Sequence, residues 1–407
     1  MAPKGWKKES LSGVTVVIDC KHRTPTYVES GIPLVSPGTI KWGALDLISP
    51  VKRVSDDEYY SLMDHCTVDI GDLVMSRNQS IGVASYVESN EPFVLGQDTV
   101  LIKPIKADSK FVFYKLQSEI VQRNIIQLAG GSTFSRINLA DIRKLKLNLP
   151  PLPEQKKIAQ ILSTWDQAIS TTEQLLANSQ QQKKALMQQL LTGKKRLLDK
   201  NGVRFSGEWK AQRIGSLLKE VKRPVQWDDD SEYHLLSVKR RSEGVVLREI
   251  LKGSDILTKK MNTALAGDFL ISKMQVVHGA TGLVTEEFNK CHISDSYIAL
   301  RPKDDEKIDI AFFSWFSKQK IMYHKAFLCS YGVHIEKMTF NFNMFIKEKV
   351  VIPASLEEQK KISTILSTAE QEISALQKKL AALKQEKQAL MQQLLTGKRR
   401  VKVEAAA

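Results

Sequence analysis

The stretch EQKKIAQILST at 154–164 returns as EQKKISTILST at 358–368, and KALMQQLLTGKKR at 184–196 returns as QALMQQLLTGKRR at 388–400. Both pairs are displaced by 204 residues, and 27 of the 45 positions between 154–198 and 358–402 are identical without a gap. A repeat of this kind defines an architecture before any local pattern does. The chain is therefore an internal duplication in which one segment has stayed nearly the same in both copies.

The repeated segments carry apolar residues at alternating steps of four and three, the spacing of a coiled-coil seam. The seam positions are Ile158, Leu162, Trp165, Ile169, Leu176, Leu186 and Leu190 in the first copy, and Ile362, Leu366, Ile373, Leu376, Leu380, Leu390 and Leu394 in the second. Neither stripe is wide enough for a helix to fold alone, so we expect the copies to pair along it. Packing around a pseudo-twofold axis would make them antiparallel. The alternative is that each helix docks along its own globular domain.

Helix boundaries follow from the residues around the repeats. Pro150, Pro151 and Pro153 interrupt regular structure, and the charge of Glu154 suits the first turn of a helix. Gly193, followed by three basic residues, is typical of a helix end. These signals divide the chain into a first domain at 1–150, a central helix at 151–200, a second domain at 201–353, a C-terminal helix at 354–403 and a disordered tail at 404–407.

The two domains agree with each other only in outline. GDLVMSR at 71–77 resembles GDFLISK at 267–273, and VLIKP at 100–104 resembles IALRP at 298–302. Short β-branched runs alternate with glycine and proline breaks and with modest helical stretches, which predicts mixed α/β domains with a curved sheet. The predicted fold class is α+β, with two such domains and two long antiparallel coiled-coil helices separating them. Two similar frames then carry two different surfaces.

Charge and composition favour a polyanionic partner. A chain of 407 residues with 42% hydrophobic and 26% charged residues has the make-up of a globular protein with more than one domain. Its net charge is +15, and the surplus is shared by both halves, with 26 basic against 20 acidic residues in 1–203 and 34 against 25 in the remainder. Neutralisation of phosphates drives nucleic-acid binding by such surfaces.

Several classes of function lack their motifs. The four cysteines are scattered, so neither a metal site nor a disulfide framework is expected. A methyltransferase acting on adenine would need a glycine-rich cofactor loop and an (N/D)PP(Y/F) turn, and a translocase a GxxxxGK(S/T) loop; none of these occurs. A nuclease site can be assembled from Asp141, Glu154 and Lys156, but the second copy has Phe345 in place of Asp141. We therefore predict no catalytic residues. Without a signal peptide or an apolar run of roughly 20 residues, we expect a cytoplasmic protein that does not enter a membrane.

Polar loops after the paired Gly-Asp strands supply candidate DNA contacts. Arg, Asn, Gln and Lys are the side chains best shaped for bidentate contact with guanine or adenine edges. The candidates are Arg77, Asn78, Gln79, Ser80, Ser132 and Arg136 in the first domain, and Lys239, Arg240, Arg241, Lys273, Gln275, His278, Tyr331 and His334 in the second. The alternatives for each are a phosphate contact or a solvated loop.

The repeated helices resemble a known family. LPPLPEQKKIAQIL at 149–162, VIPASLEEQKKISTIL at 351–366 and the ALMQQLLTGK ends at 185–194 and 389–398 are similar to the conserved regions of type I restriction-modification specificity subunits. The likeness covers the chain in plan: target-recognition domain, conserved helix, second target-recognition domain, conserved helix. One departure is the proline-rich lead-in, of which only Pro353 survives in the second copy.

The resemblance implies a function and a set of partners. Each recognition domain would read one half of a bipartite site on double-stranded DNA, and the helices would set the spacer and dock two modification subunits. S-adenosylmethionine would then be bound by the modification subunits, and ATP and Mg by the restriction subunits that join them, with no cofactor on this chain. Two alternatives stay open: a fused modification or nuclease enzyme, and a coiled-coil scaffold whose positive charge is incidental.

Overall fold

A computed structural model describes residues 3–49, 52–130, 135–332, 334–335 and 338–403. The chain forms two compact units. The first unit comprises Met1–Gln174 and Gln377–Ala407, and the second comprises Leu175–Leu376. Each unit therefore contains one globular domain, the beginning of the long helix that follows it and the end of the other long helix. The expected tail at 404–407 lies outside the described residues.

The first unit is a mixed α/β domain. Its strands are β1 Lys7–Ser10, β2 Thr15–Asp19, β3 Ile32–Val35, β4 Gly43–Ala44, β5 Arg53–Val54, β6 Leu73–Ser76, β7 Ala84–Tyr86, β8 Val94–Leu95, β9 Thr99–Pro104 and β10 Lys146–Leu149. Its helices are α1 Leu11–Val14, α2 Asp56–Met63, α3 Ser109–Gln117, α4 Glu119–Ala129 and α5 Leu139–Lys144, followed by the long helix α6 Leu152–Leu190. The main sheet has the order β2-β9-β6-β7-β4, with a three-stranded sheet β5-β3-β8 and the pair β1-β10 beside it.

The central strand β6 shows why this sheet forms. Leu73 and Met75 point into one apolar cluster with α3, α4 and α6, while Val74 points into the other, with β3 and β8. Successive strand residues face opposite sides, and both sides are covered here, so all four residues of β6 are buried. The unbroken apolar run LVM is the sequence signature of that double burial.

The second unit repeats this plan with different additions. Its strands are β11 Trp209–Arg213, β12 Leu218–Val221, β13 Glu232–Lys239, β14 Gly244–Lys252, β15 Met261–Thr263, β16 Phe269–Ser272, β17 Thr281–Leu283, β18 His292–Ser294, β19 Tyr297–Pro302, β20 Ser330–Tyr331, β21 Thr339–Phe340 and β22 Lys349–Pro353. Its helices are α7 Ile214–Leu217, α8 Ile310–Ser317, α9 Lys320–Leu328, α10 Phe342–Phe345 and the long α11 Leu356–Leu394, with short 3-10 turns at Arg240–Ser242, Gly253–Asp255, Val276–His278 and Glu286–Phe288. The sheet β12-β19-β16-β17 has the same order as β2-β9-β6-β7, and a second sheet has the order β14-β13-β18-β15.

Within each unit the two long helices run antiparallel. In the first unit Glu154 pairs with Arg400 and Asp166 with Lys387, so partner numbers fall along α11 as they rise along α6. In the second unit Lys183 pairs with Glu370, and Arg196 beyond the helix end pairs with Glu358. The predicted fold class, two mixed α/β domains with antiparallel long helices in a duplicated chain, is confirmed.

Each long helix is followed, three residues after its last helical residue, by a glycine in the left-handed region. Gly193 and Gly397 each have a φ of +70°, which a residue with a Cβ adopts at a cost. A Cβ at Gly193 would also lie 3.1 Å from the ring of Trp209. At the other end, Ser355 accepts a hydrogen bond from the backbone N–H of Glu358, so a serine cap replaces the prolines that precede α6. Among the described residues, none of the helices combines the length and apolarity that a bilayer crossing needs.

Candidate nucleic-acid interface

In each domain, a buried ion pair joins the two strand motifs that match between the domains. Asp72 opens the GDLVMSR strand, and its Oδ2 lies 2.5 Å from Nζ of Lys103 in VLIKP. Asp268 opens the GDFLISK strand, and its Oδ1 lies 2.6 Å from Nε of Arg301 in IALRP. A buried carboxylate needs such a partner to stay charged. The pair fixes the start of the strand whose far end carries the candidate loop.

In the first domain, Arg77 is an internal tie in this structure. Its side chain is 5% exposed, with Nη1 2.8 Å from Oδ1 of Asp19 and Nε donating to the carbonyl of Ile137 at 3.2 Å. Its backbone N–H donates to the carbonyl of Asp98. Arg77 therefore joins the loop after β6 to the segments before β9 and before α5.

Asn78 and Arg136 meet at the carboxylate of Asp98. Nδ2 of Asn78 donates to Oδ2 at 2.6 Å, and Nη2 of Arg136 lies 2.7 Å from Oδ1. The backbones of Asn78 and Arg136 form an antiparallel bridge, and the Arg136 side chain is 41% exposed. Three loops thus converge on one acidic residue, and two candidates that are 58 residues apart in sequence become neighbours.

The other first-domain candidates lie beside this cluster. Gln79 is exposed and has a φ of +54°, while the hydroxyl of Ser80 donates to the carbonyl of Pro37 at 2.8 Å. Ser80 is thereby tied to the segment before β4. Ser132 lies outside the described residues.

In the second domain, Lys273 stands where Arg77 stands in the first. Its backbone N–H donates to the carbonyl of Ser296 at 2.8 Å, as that of Arg77 does to Asp98. Its Nζ donates to the carbonyl of Asp295 at 2.6 Å. Ser296 is thus the structural equivalent of Asp98, and it brings no charge.

The basic hairpin tip of the second domain is anchored to the turn that holds Gln275 and His278. Lys239, Arg240 and Arg241 are exposed where β13 turns into β14. Ser242 donates its backbone N–H to the carbonyl of Gly279 at 2.9 Å, and its hydroxyl lies 2.5 Å from that of Tyr323. These candidates therefore share one surface. Tyr331 and His334 are also exposed, on the segment after α9.

The acidic residues Asp19 and Asp98 organise the first cluster, and sequence reasoning missed both. Acidic side chains repel phosphates and were not among the candidates for DNA contact. A sequence signal does exist for Asp98: Gly96-Gln97-Asp98 precedes the apolar run of β9, and Asp is a residue type enriched at the left-handed φ, here +63°, that such a turn requires. That signal locates a turn and does not identify the residues it holds.

Asp19 also belongs to a group with Cys20 and His22 whose ligand atoms all lie within 4.8 Å of one another. The Asp19 carboxylate already accepts hydrogen bonds from Arg77 and His22. Burial raises the pKa of the Cys20 thiol, which disfavours the thiolate that a metal would need. We interpret the group as part of the contacts by which Arg77 and Asp19 hold the loop after β6.

The seam positions of both helices are buried or half-buried throughout. Ile158 and Leu162 pack in the core of the first domain together with Leu394, and Ile362 and Leu366 pack in the core of the second domain with Leu190. The remaining seam positions, Trp165, Ile169, Leu176, Leu186, Leu376, Leu380 and Leu390, are half-buried, and Ile373 is buried. Each helix beginning thus contacts both its own domain and the end of the other helix, so the two packing alternatives occur together.

The repeated EQ dipeptide fastens each helix to its domain. Gln155 accepts from the backbone N–H of Asp108 and donates to the carbonyl of Pro150. Gln359 does the same with Asp309 and Pro353.

The preceding glutamates, Glu154 and Glu358, are almost fully buried and each receives two hydrogen bonds from an arginine at the end of the other helix. The hydrogen bonds to Glu154 and Glu358 raise the pKa of Arg400 and of Arg196, respectively. Glu154 is occupied by this pair, which favours the helix-start reading over the nuclease reading.

Comparison with known proteins agrees with this architecture. A family profile described as "Type I restriction modification DNA specificity domain" matches residues 3–178 and 207–385. The MjaX type I restriction enzyme specificity subunit of Methanocaldococcus jannaschii is 26% identical over 98% of this chain and 95% of its own length. The MjaVIII specificity subunit of the same organism is 26% identical over 49% of this chain and 48% of its own length.

A solved structure shows the same fold. The type I restriction-modification S subunit of M. genitalium aligns with a TM-score of 0.62 over 97% of this chain and 99% of that chain, at 16% identity. The family profile covers each domain and much of the helix after it, which is well over half of the sequence. The resemblance carried by the repeated helices is thereby confirmed, and the chain belongs to the family of type I restriction-modification DNA specificity subunits.

Proposed function

We propose that each domain reads one half of a bipartite site on double-stranded DNA and that the chain has no catalytic activity of its own. One observation carries the proposal: a shared frame, β2-β9-β6-β7 in one domain and β12-β19-β16-β17 in the other, supports different polar loops at the same place. Arg77 and Lys273 mark that place in both domains. Two unlike loops on like frames suit the reading of two unlike sequences.

The long helices dock two modification subunits and set the spacer. Seam packing accounts for the repeated apolar residues but not for repeated polar residues that face solvent. Such positions are exposed in both copies and identical between them: Lys156 and Lys360, Thr164 and Thr368, Ser170 and Ser374, Gln188 and Gln392, Gln189 and Gln393. The same exposed pattern presented twice suits the same partner bound twice.

The chemistry then belongs to the partners. S-adenosylmethionine is bound by the modification subunits, and ATP and Mg by the restriction subunits, while this chain binds no cofactor. The proposal places the assembly in the cytoplasm with the DNA. Affinity for DNA should fall steeply as salt rises, because contacts to phosphates release counterions.

Methylation mapping tests the proposal directly. Cells carrying this chain together with its modification subunit are sequenced for methylated adenine. We expect one asymmetric motif made of two short segments, with a fixed unread gap and one modified adenine in each segment. Cells that carry the modification subunit alone serve as the control. A single contiguous motif, or modification that does not depend on this chain, would contradict the proposal.

A further inference from the structure

The carboxylate of Asp98 stands among basic and amide side chains on a surface that the proposed function gives to DNA. Oδ1 lies 2.7 Å from Nη2 of Arg136, and Oδ2 lies 2.6 Å from Nδ2 of Asn78. The Asp98 side chain is 23% exposed. A negative charge at a DNA-binding surface repels phosphates and weakens binding to every sequence. Its presence therefore needs a reason that outweighs this loss.

The first effect of Asp98 is on the amide of Asn78. An ionised carboxylate only accepts hydrogen bonds, so the Asn78 amide must turn its nitrogen toward Asp98 and its oxygen away. That oxygen is buried and receives no hydrogen bond from the residues that the structure describes. An amide without such a neighbour could turn over and exchange donor for acceptor. Asp98 removes that freedom and holds the amide as part of the support for Arg136, whose backbone forms a bridge with that of Asn78.

The second effect is on the guanidinium of Arg136. The side chain is 41% exposed, and a guanidinium has five N–H donors in a fixed plane, of which the contact with Asp98 occupies one. The carboxylate holds that plane in one orientation and offsets its charge. A fixed plane can meet a matching base edge with its remaining donors, whereas an unpaired arginine can swing to any nearby phosphate.

We propose that Asp98 is a positioning residue that sets the specificity of the first recognition domain by orienting Arg136 and Asn78. This inference rests on the proposed function and adds the mechanism by which one half-site is discriminated. The second domain has Ser296 at the equivalent position, where Lys273 donates its backbone N–H to the carbonyl. The device is therefore specific to the first domain, which supplies a control within the same chain.

The test compares the wild-type chain with Asp98→Asn, each assembled with its modification subunits. Asparagine tolerates the left-handed backbone that Asp98 adopts, so the loop is kept while the charge is lost. Duplexes bound from a randomised pool are sequenced to give base preferences, and binding to an unrelated duplex is measured over a salt series. We expect discrimination at one or two positions of the first half-site to fall about tenfold, with the second half-site unchanged. Affinity for unrelated DNA should rise, and the salt slope should steepen by about one phosphate contact.

Three further variants separate positioning from structural support. Ser296→Ala is the matched control and should leave both half-sites and the salt slope unchanged. Arg136→Ala combined with Asp98→Asn should abolish the added salt dependence, because the released guanidinium is its source. Asp98→Gly, also compatible with the backbone, should repeat the loss of discrimination.

The outcomes are distinguishable. Unchanged base preferences in both Asp98 variants overturn the inference. So does an equal loss in both half-sites, or weaker binding with no steeper salt slope, since these are signs of a loosened fold. If the wild-type assembly selects no two-part site, the proposed function fails first and the inference falls with it.

Discussion

The two recognition domains share one frame and differ in what is built on it. In both, a buried aspartate pairs with a basic residue across the sheet, and an aromatic residue bonds a seryl hydroxyl of the adjoining helix: Tyr114 to Ser163, and Trp315 to Ser367. On the other side of the sheet, the first domain has the small sheet β5-β3-β8, and the second has a long hairpin within β14-β13-β18-β15. The helix-facing layer is retained and the opposite layer is free to change. Under the proposed function, the retained layer serves assembly, and the strand-end loops together with the changed layer serve sequence reading.

Exchanging a whole domain should have the largest effect. Replacing 1–150 with the corresponding domain of another specificity subunit should change one segment of the methylated motif completely and leave the other segment and the gap as they were. The reason is that the long helices pack against the retained layer and not against the layer that contains β3 and β8. Methylation mapping in cells is the measurement. Altered reading of both segments would show that the domains are not independent.

Truncating the first buried seam residue should weaken both units alike. Ile158 and Ile362 occupy equivalent positions and are 0% and 1% exposed. Either change to alanine removes buried methylene groups and leaves a cavity, so we expect a loss of about 3 kcal/mol in the free energy of unfolding. Chemical denaturation followed by circular dichroism measures it. The exposed Lys156→Ala serves as control, and markedly unequal losses would mean that the two helix beginnings are not packed equivalently.

Neutralising the buried aspartate should destabilise the second domain more than the first. Asp268 is fully buried and pairs with both Arg223 and Arg301, whereas Asp72 is 5% exposed and pairs with Lys103. We expect Asp268→Asn to lower the free energy of unfolding by about 3 kcal/mol, and Asp72→Asn by about 2 kcal/mol. Denaturation of the two variants side by side tests this order. A larger loss for Asp72→Asn would show that the Asp72 ion pair contributes more to stability than the Asp268 pairs.

A pH-dependent contribution to the stability of the first unit should come from Lys115. Lys115 donates to the carbonyl of Leu395, and its burial lowers the pKa to about 8. The unfolded chain binds this proton more strongly, so burying Lys115 disfavours folding below pH 8. The penalty then fades as the pH rises toward the unfolded pKa of about 10.4.

Relative to Lys115→Met, the wild-type chain should therefore gain about 2 kcal/mol in the free energy of unfolding between pH 7.5 and 10. In the second unit, Gln319 donates to the carbonyl of Leu191 without a charge. Gln319→Met should accordingly show no such pH dependence. A pH-independent difference for Lys115→Met would rule out the titration of Lys115 as its source.

Much of the fold could be predicted from the sequence because helix periodicity is local. The seam positions, the helix-ending glycines and the mixed character of the domains all follow from neighbouring residues. The ion-pair partner of Glu154 does not follow from neighbouring residues. Since the two copies are nearly identical, Arg196 and Arg400 are equally good partners on sequence alone, and only the fold selects Arg400.

The candidate site divides in the same way. The loops after β6 and β16 can be located by their position after a matched strand. Whether a side chain is offered to a ligand depends on partners that are distant in sequence. Residue type predicts that Arg77 contacts a base, but in the structure its side chain is paired with Asp19 and the carbonyl of Ile137. Asp98 was passed over by residue type, yet it gathers Asn78 and Arg136.

The first unit contains the end of α11, and this has a consequence for biosynthesis. The residues concerned are Leu394, Leu395 and Arg400. The last turn of α11 completes a core that includes Trp6 and Leu11, and Arg400 donates to the carbonyl of Lys4. Chains emerge from the ribosome N-terminus first. The core of the domain that is translated first therefore stays incomplete until the end of α11 and Arg400 have been released. The second unit is complete in sequence by Leu376, so the later-made half can finish folding before the earlier one.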